Sequence, residues 1–488
     1  MIVALVRAKV LALLLGPAGY GVISTVDQTV VSLVQLGAFS MPFTALKFMA
    51  REYGHPEAFA KEFATFFAAI GACGLLTVLL SAGVLTWYPG VFGSDLIVLR
   101  PYLLLALLGV PAAMLHILFV HTLAAAQRGT SSAWLNMLVL MALAVASVIG
   151  VVVAGIRGVY LFTVGAGVLS AIVGLRYIMG QLRLTMHASP SVLLTAFRKN
   201  PEIVKYSFLV YSALAAYSLT MLATRYFVFA GLGAAQAGLL QALIGIGLTV
   251  GAMLNSMNTL YFVPVINSRL PVPEKEKAAN LFARRILLLL IVGGLGVSLF
   301  PGTLLKLLFS HEFLPGAGVL FAFVIWQLIY QMANVYLQLL IGLDEVAAYA
   351  IATCVGYGIA SVLFPSFISR FGLAGAAMAL SCALVISAVV ALGRLRWRFN
   401  VSVDGGVVAR FCFGLLVILG ARFAFRHTAE LTVSGVALRG AFALAVALVL
   451  WLTLASDERR FLLSRLPQSA RLRFAVSRSR SEDDDPTA

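Results

Sequence analysis

Charge is scarce in this chain. Of 488 residues only 11% are charged, and Asp and Glu together number 19. A soluble domain is nearer a quarter charged, so an ordinary soluble fold is excluded. Cysteine is scarce too. Cys73, Cys354, Cys382 and Cys412 lie far apart inside apolar stretches with no CxxC spacing. That excludes a disulfide framework or a thiolate metal site, and the four read as small core residues. The six histidines, at 55, 116, 121, 187, 311 and 427, form no ligand-spaced cluster. His116 and His121 are five apart, which turns them to different faces of one helix. There is no GxxxxGK[ST] phosphate loop, no HExxH and no GxSxG. The chain therefore carries no signature of ATP-driven or hydrolytic chemistry. No catalytic residue, metal or cofactor is expected, and the chain does not read as an enzyme.

Apolar length is what the sequence has instead. Hydrophobic residues make up 61%, and the mean hydropathy is +1.00. Apolar runs long enough to cross a bilayer recur from end to end, which predicts an all-α integral membrane protein. Fourteen spans are expected: 1–15, 20–46, 64–88, 98–124, 132–155, 158–179, 206–230, 236–264, 286–309, 317–341, 346–368, 372–393, 408–427 and 434–455. The first run has no small-residue cleavage site and passes directly into a turn and a second run, so it reads as a span rather than a cleavable signal. It offers only 15 residues before Gly16, against the ~20 a span needs. Either the turn lends it length or the chain starts upstream of Met1.

The net charge of +16 could suggest nucleic acid, but its placement argues otherwise. Of the 35 Lys and Arg, 25 flank the even-numbered loops and the C-terminal tail, and 8 flank the opposite side. Arg7 and Lys9 lie inside the first span. Such a bias is the positive-inside pattern and places both termini in the cytoplasm. No nucleic-acid partner is expected.

"LGPAGYGVIS", between spans one and two, is echoed by "GLGAAQAGLLQ" between spans seven and eight, at an offset of 217 from Gly16 to Gly233. "RGVYLFTVGAG" pairs with "FGLAGAAMALS" at 214, and the breaks "AQRGTSS" and "IGLDEVA" are about as far apart. This predicts two pseudo-symmetric six-helix lobes in the same orientation plus a final pair, with cargo held between the halves. The divisions are a first lobe at 1–180, a basic linker at 181–205, a second lobe at 206–395, a C-terminal helix pair at 396–455 and a basic tail at 456–488. The tail reads as solvated; adsorption to anionic headgroups is the alternative.

A charge within a span costs at least ~2.5–3.5 kcal/mol, so it needs a cavity, a partner or a route to the surface. Arg7 precedes Gly16 by nine residues, about 14 Å along a helix. Asp27 follows Gly21 by six, about 9 Å. Arg225 precedes Gly231 by six. Both halves thus contribute ionisable groups at or outside the midplane. Tyr20, Ser24, Gln28 and Gln35 share the broad face of Asp27, and Gln241 and Asn255 repeat the habit on span eight. The candidate substrate-binding residues are Arg7, Asp27, Gln28, Arg225 and Gln241. Competing roles are a topogenic charge for Arg7 with Lys9, a salt bridge for Asp27 with Arg7, and an outward-snorkelling anchor for Arg225.

The chain resembles the multidrug/oligosaccharidyl-lipid/polysaccharide (MOP) flippase superfamily, and within it the polysaccharide repeat-unit flippases. The resemblance covers residues 1 to about 455. It rests on "KVLALLLGPAGYGVIS", "VQLGAFSMPFTALKFMAREYG", "TRYFVFAGLGAAQAGLLQALIGI" and "FGLAGAAMAL", in that order and spacing. "GAFS" and "VRAKVLALLLG" are also similar to the lipid II flippase branch. There an Arg at the position of Arg7 lines the cavity and is followed by Asp; here Ala8 follows. An Arg at the position of Arg225 is common in the repeat-unit flippases. The resemblance implies two six-helix lobes around a cationic central cavity. It also implies undecaprenyl-pyrophosphate-linked oligosaccharide as cargo, moved from the cytoplasmic to the periplasmic leaflet of a bacterial inner membrane. It further implies a monomer among membrane lipids, working with a polymerase and a chain-length regulator. A drug/cation antiporter of the same fold would need more intramembrane acids, and a non-transporting scaffold of a synthase would need no buried charge.

Overall fold

The structure, a computed structural model, describes residues 2–88, 94–182, 201–268, 270–426 and 430–453. Most of the 181–205 linker and all of the 456–488 tail lie outside the described residues, as do His187 and His427.

Among the described residues every regular element is helical. Long apolar segments in lipid must satisfy their backbone internally, and a helix does so within one segment. In chain order the helices are α1 (Ile2–Gly37), α2 (Met41–Arg51), α3 (Pro56–Trp87), α4 (Arg100–Leu107), α5 (Val110–Ala125), α6 (Gly129–Leu182), α7 (Pro201–Leu232), α8 (Ala234–Met257), α9 (Val263–Ile266), α10 (Val272–Leu299), α11 (Pro301–Leu308), α12 (Leu320–Gly342), α13 (Val346–Phe399), α14 (Gly405–Phe425) and α15 (Val433–Thr453). Two 3₁₀ segments, Ser94–Leu99 and His311–Gly318, and a π-helical turn, Asn258–Phe262, lie between them.

Ten of these helices are long and apolar enough to cross a bilayer, and a pair around α4 and α5, bent by 51°, makes an eleventh. Three of the ten are broken once, at Gly16 (φ 62°), at Ala154–Gly155 (φ 58° at Gly155) and at Gly372 (φ 56°). Each therefore counts twice, and the eleven become the fourteen expected. The breaks are true reversals. Arg7 and Asp27 are 20 residues apart, about 30 Å along an unbroken helix, yet their side chains meet at 3.0 Å. Left-handed φ at a glycine and Pro17 directly after it explain the first reversal.

The repeat is more regular than the sequence suggests. Gly16 and Gly233, Gln127 and Asp344, and Gly155 and Gly372 all have positive φ, and each pair is 217 apart. The offset of 214 read from Arg157 is therefore corrected to 217 at that turn. α6 and α13 are each 54 residues long and start and end 217 apart. Even a tie is repeated. Arg128 donates to Gln181 Oε1, and Glu345 and Arg398, 217 further on, form an ion pair.

Several boundaries move. Span two ends at Gly37 rather than 46, because Phe39 and Ser40 take positive φ and α2 starts as a separate helix. Span three begins at Pro56 rather than 64. Span nine, expected at 286–309, is α10 (Val272–Leu299), with α11 a separate short helix after it. Its charged front is helical because Lys275, only 8% exposed, donates to the Gly342 carbonyl at the end of α12 (2.9 Å). A cation at a helix C-terminus is well placed for the dipole.

The halves meet along α1 and α8 in a pseudo-twofold contact. A Cβ on Gly21 would collide with the Ala234 carbonyl, and a Cβ on Gly238 with the Pro17 carbonyl. The two contacts are related by the repeat: Gly21 and Gly238 are 217 apart, and so are Pro17 and Ala234. α11 and the 3₁₀ segment after it cover this seam. Lys9 donates to the Leu307 carbonyl (2.6 Å), and Tyr20 packs on Phe309 and Phe313 at 6.0 and 5.9 Å.

Contacts divide the chain into two units, Met1–Leu419 and Gly420–Ala488. Within the second, Arg439 is buried, with its guanidinium 5.1 Å from the Phe425 ring and Nη1 donating to the Gly435 carbonyl (3.3 Å).

Candidate functional site

The breaks at Gly16 and Gly155 bring four spans together around two of the candidate residues. Arg7 Nη2 donates to Asp27 Oδ2 at 3.0 Å, and Arg7 Nε donates to Ser147 Oγ at 2.9 Å. Tyr160, beyond the Gly155 reversal, donates to the Ile23 carbonyl (3.2 Å) and to Asp27 Oδ1 (3.4 Å). The Arg7 and Asp27 side chains keep 30% and 36% of their exposure. Arg7 therefore turns inward to an acid; Lys9 takes the carbonyl of Leu307 instead of sharing a topogenic role with it.

The second half places Arg225 and Gln241 together across the Gly233 turn. They are 16 residues apart, and Arg225 Nη2 donates to Gln241 Oε1 at 2.7 Å. Arg225 Nη1 donates to the Met221 carbonyl (3.2 Å). Its Nε has no partner, and the residue is 4% exposed. Among the described residues no carboxylate forms an ion pair with it, although Asp27 and Tyr20 are within electrostatic reach. Arg225 does not snorkel. Its guanidinium is held inside the protein by neutral acceptors. Tyr217, one of its neighbours, packs edge-on against Tyr357 with ring centroids 5.5 Å apart. Thr29 and Tyr226 link the halves by a hydroxyl pair at 3.1 Å.

The other polar residues are less concentrated than their helical spacing suggested. Gln28 donates to Ser32 Oγ (3.4 Å) on its own helix, and Ser24 donates to the Gly21 carbonyl (2.9 Å). Tyr20 belongs to the aromatic cover of the seam. The side chain of Asn255 lies outside the described residues. Sequence reasoning missed Ser147 and Tyr160. Ser147 sits in an apolar run and Tyr160 just past Arg157, with no polar spacing that links either to Arg7 or Asp27; the Gly155 reversal brings them there. His116 bonds Asn136 (3.2 Å), and His121 packs on Phe43 (4.9 Å). The cysteines are free. Among the described residues no group of three or more His, Cys, Asp or Glu could hold a metal.

An apolar groove lies elsewhere. It encloses about 710 Å³ between the two arms of α6, from Met141 and Val145 to Phe162 and Gly165, and is almost wholly apolar.

The result is an all-helical membrane fold of two repeated six-span halves, with a guanidinium on the leading helix of each, that of Arg225 buried and that of Arg7 paired with Asp27. No protein-family model matches the chain, nor does any curated protein sequence. Solved structures do match. Lipid II flippase MurJ in an inward closed conformation aligns at a TM-score of 0.68 and 14% identity, over 92% of this chain and 96% of that one. An inward-facing MATE multidrug resistance transporter of the MOP superfamily aligns at 0.64 and 13%, over 88% and 96%. A MOP superfamily transporter from Pyrococcus furiosus, noted for the reverse polarity of its binding pocket, aligns at 0.58 and 12%, over 86% and 92%. The chain is a multi-pass membrane protein with the fold these transporters share.

Proposed function

We propose that this protein is a flippase for undecaprenyl-pyrophosphate-linked oligosaccharide repeat units, turning them from the cytoplasmic to the periplasmic leaflet by alternating access. It is not an enzyme on this reading. The observation that carries the reading is Arg225: a guanidinium 4% exposed, bonded only to neutral acceptors, with one N–H unpartnered. A buried cation without an acid is costly unless an anion visits it. A guanidinium meets phosphate oxygens with a planar fork of donors, and a pyrophosphate cannot cross hydrocarbon bare. Arg7 adds a second guanidinium, partly neutralised by Asp27, while Gln241 and Gln28 supply amides suited to sugar hydroxyls. The excess of Lys and Arg on one side supports cytoplasmic termini in a bacterial inner membrane. A monomer working beside a polymerase and a chain-length regulator completes the reading.

The MATE neighbours favour a second reading, a drug/cation antiporter. A deletion strain separates the two. The flippase reading expects loss of surface polysaccharide and accumulation of the lipid-linked repeat unit, detected by mass spectrometry. Normal polysaccharide, no accumulated intermediate and new sensitivity to cationic dyes would favour the antiporter.

A further inference from the structure

At the ends of the spans opposite Gly16, the halves touch a second time, and the chemistry differs from that of the glycine seam. α2 belongs to the first half and is fastened there by Phe43 on His121. Its outward face meets the start of α7, from the second half, in three successive side-chain contacts. Phe39, just before α2, packs on Tyr211 with centroids 5.0 Å apart. Thr44 and Ser207 share a hydroxyl hydrogen bond at 2.7 Å. Lys47 places Nζ 4.1 Å from the centroid of the Tyr206 ring. Taken in order, 39 with 211, 44 with 207 and 47 with 206, the three contacts run antiparallel along the two segments and form a zipper.

The two closures are unequal. In the glycine seam backbone lies on backbone, with no room for a Cβ. In the zipper the only charged contact is a cation on an aromatic face. Among the described residues Lys47 has no ion pair, and it is exposed. Its neighbour Arg51 is likewise set over an aromatic ring, that of Phe48 at 4.8 Å. An exposed cation–π contact is weak, and a charge-assisted bond to a phosphate oxygen is stronger. An anionic headgroup arriving at this end therefore competes for Lys47 on favourable terms, and taking it removes one of the three teeth.

We infer that the α2–α7 zipper is the cargo entrance gate, latched by Lys47 on Tyr206 and released by the pyrophosphate headgroup of a polyprenyl lipid. The inference rests on the reading of an anionic, lipid-linked cargo. It adds a residue and a step to it: the headgroup opens its own way in before it reaches the guanidinium of Arg225.

The test uses the full chain, lacking its native cysteines, with Thr44→Cys and Ser207→Cys, in phosphatidylcholine nanodiscs. Oxidative cross-linking of the pair reports closure. The yield is expected to be high in phosphatidylcholine alone and to fall about tenfold with farnesyl pyrophosphate, a factor worth ~1.4 kcal/mol of closure. Phosphatidylglycerol at the same charge density is expected to leave it high. Lys47→Met is expected to lower the yield without added lipid, since it removes the latch, and to lose the response to farnesyl pyrophosphate; Lys47→Arg is expected to retain both closure and response. An unchanged yield with farnesyl pyrophosphate, or an equal fall in the Lys47→Met protein, would overturn the latch. An equal fall with phosphatidylglycerol would overturn gating by cargo. A gate that answers pyrophosphate in a protein whose deletion leaves polysaccharide intact would refute the sugar cargo and keep the gate. Loss of polysaccharide with an unresponsive gate would do the reverse.

Discussion

Arg225 is the residue on which the functional reading leans. A charge-assisted hydrogen bond contributes about 1.5–3 kcal/mol, and ~1.4 kcal/mol is a factor of ten. Arg225→Ala, made at normal levels, is therefore expected to lower flipping by roughly one to two orders of magnitude when cargo affinity limits the rate. Arg225→Lys is expected to recover only part, because an ammonium keeps the charge and loses the fork. Polysaccharide output at limiting expression measures both; wild-type output from Arg225→Ala would make the residue structural. The Arg7–Asp27 pair is tested by stability instead. Removing one partner strands a charge, so Arg7→Met is expected to destabilise more than Arg7→Met with Asp27→Asn. The difference should be roughly 1–2 kcal/mol, less than the full cost of a lone charge in lipid because both side chains keep about a third of their exposure. Thermal unfolding in detergent reads it, and a double variant no better than the single would contradict the pairing. Outside the membrane, Asp404 accepts the Gly406 N–H at 2.7 Å and pairs with Arg284, which holds its carboxyl below the usual range. A depressed carboxylate stabilises above its unfolded value and loses that stabilisation as pH falls through the folded one. Asp404→Ala is expected to cost about 0.5–2 kcal/mol as a lost helix cap near neutral pH, and less in acid.

The reversals and the glycine seam are where individual elements become a pair of lobes. Gly21 and Gly238 each leave room for a carbonyl of the other half, so Gly21→Val and Gly238→Val are expected to destabilise by similar amounts, about 1–3 kcal/mol. Gly245→Ala, on the same helix α8 with open space around it, serves as the control and is expected to be neutral or slightly stabilising. Unfolding midpoints in detergent compare the three; a cost at Gly245 equal to that at Gly238 would deny the close approach. The reversals were legible because glycine and proline interrupt otherwise continuous apolar runs, and "GPAGYG" is as strong an interruption as a span can carry. Their partners were not. Ser147 and Tyr160 reach Arg7 and Asp27 only through the Gly155 turn, and nothing local marks them. Span nine was misplaced for a related reason. A hydropathy window starts where charge ends, but Lys275 and its neighbours are already helical, held by a carbonyl 67 residues away. α2 was absorbed into span two because its own apolar residues continue the run past Gly37. Arg7 and Asp27 were legible as a pair since two opposite charges within adjacent spans have few other ways to be satisfied.

At the scale of the whole molecule, the 217-residue repeat sets what the protein can do. Three positive-φ turn pairs and two 54-residue helices keep that spacing, so the halves are built alike and differ in what they carry. The first half has a guanidinium with its acid; the second has a guanidinium without one. Among the described residues that imbalance leaves a buried guanidinium without an ion pair, and on the proposed reading it is the feature that favours an anionic cargo over a cationic drug. On the proposed reading, charge placement along the loops gives transport a direction, from the side of α2 to the side of Gly16. The most direct test of the account is flipping in proteoliposomes holding the purified protein and a fluorescent polyprenyl-pyrophosphate oligosaccharide, read by a membrane-impermeant quencher. The account predicts that the wild-type protein brings the inner-leaflet pool within reach of the quencher and that Arg225→Ala slows this by at least tenfold. No exchange of the lipid-linked sugar, together with uptake of a cationic dye by the same vesicles, would contradict it.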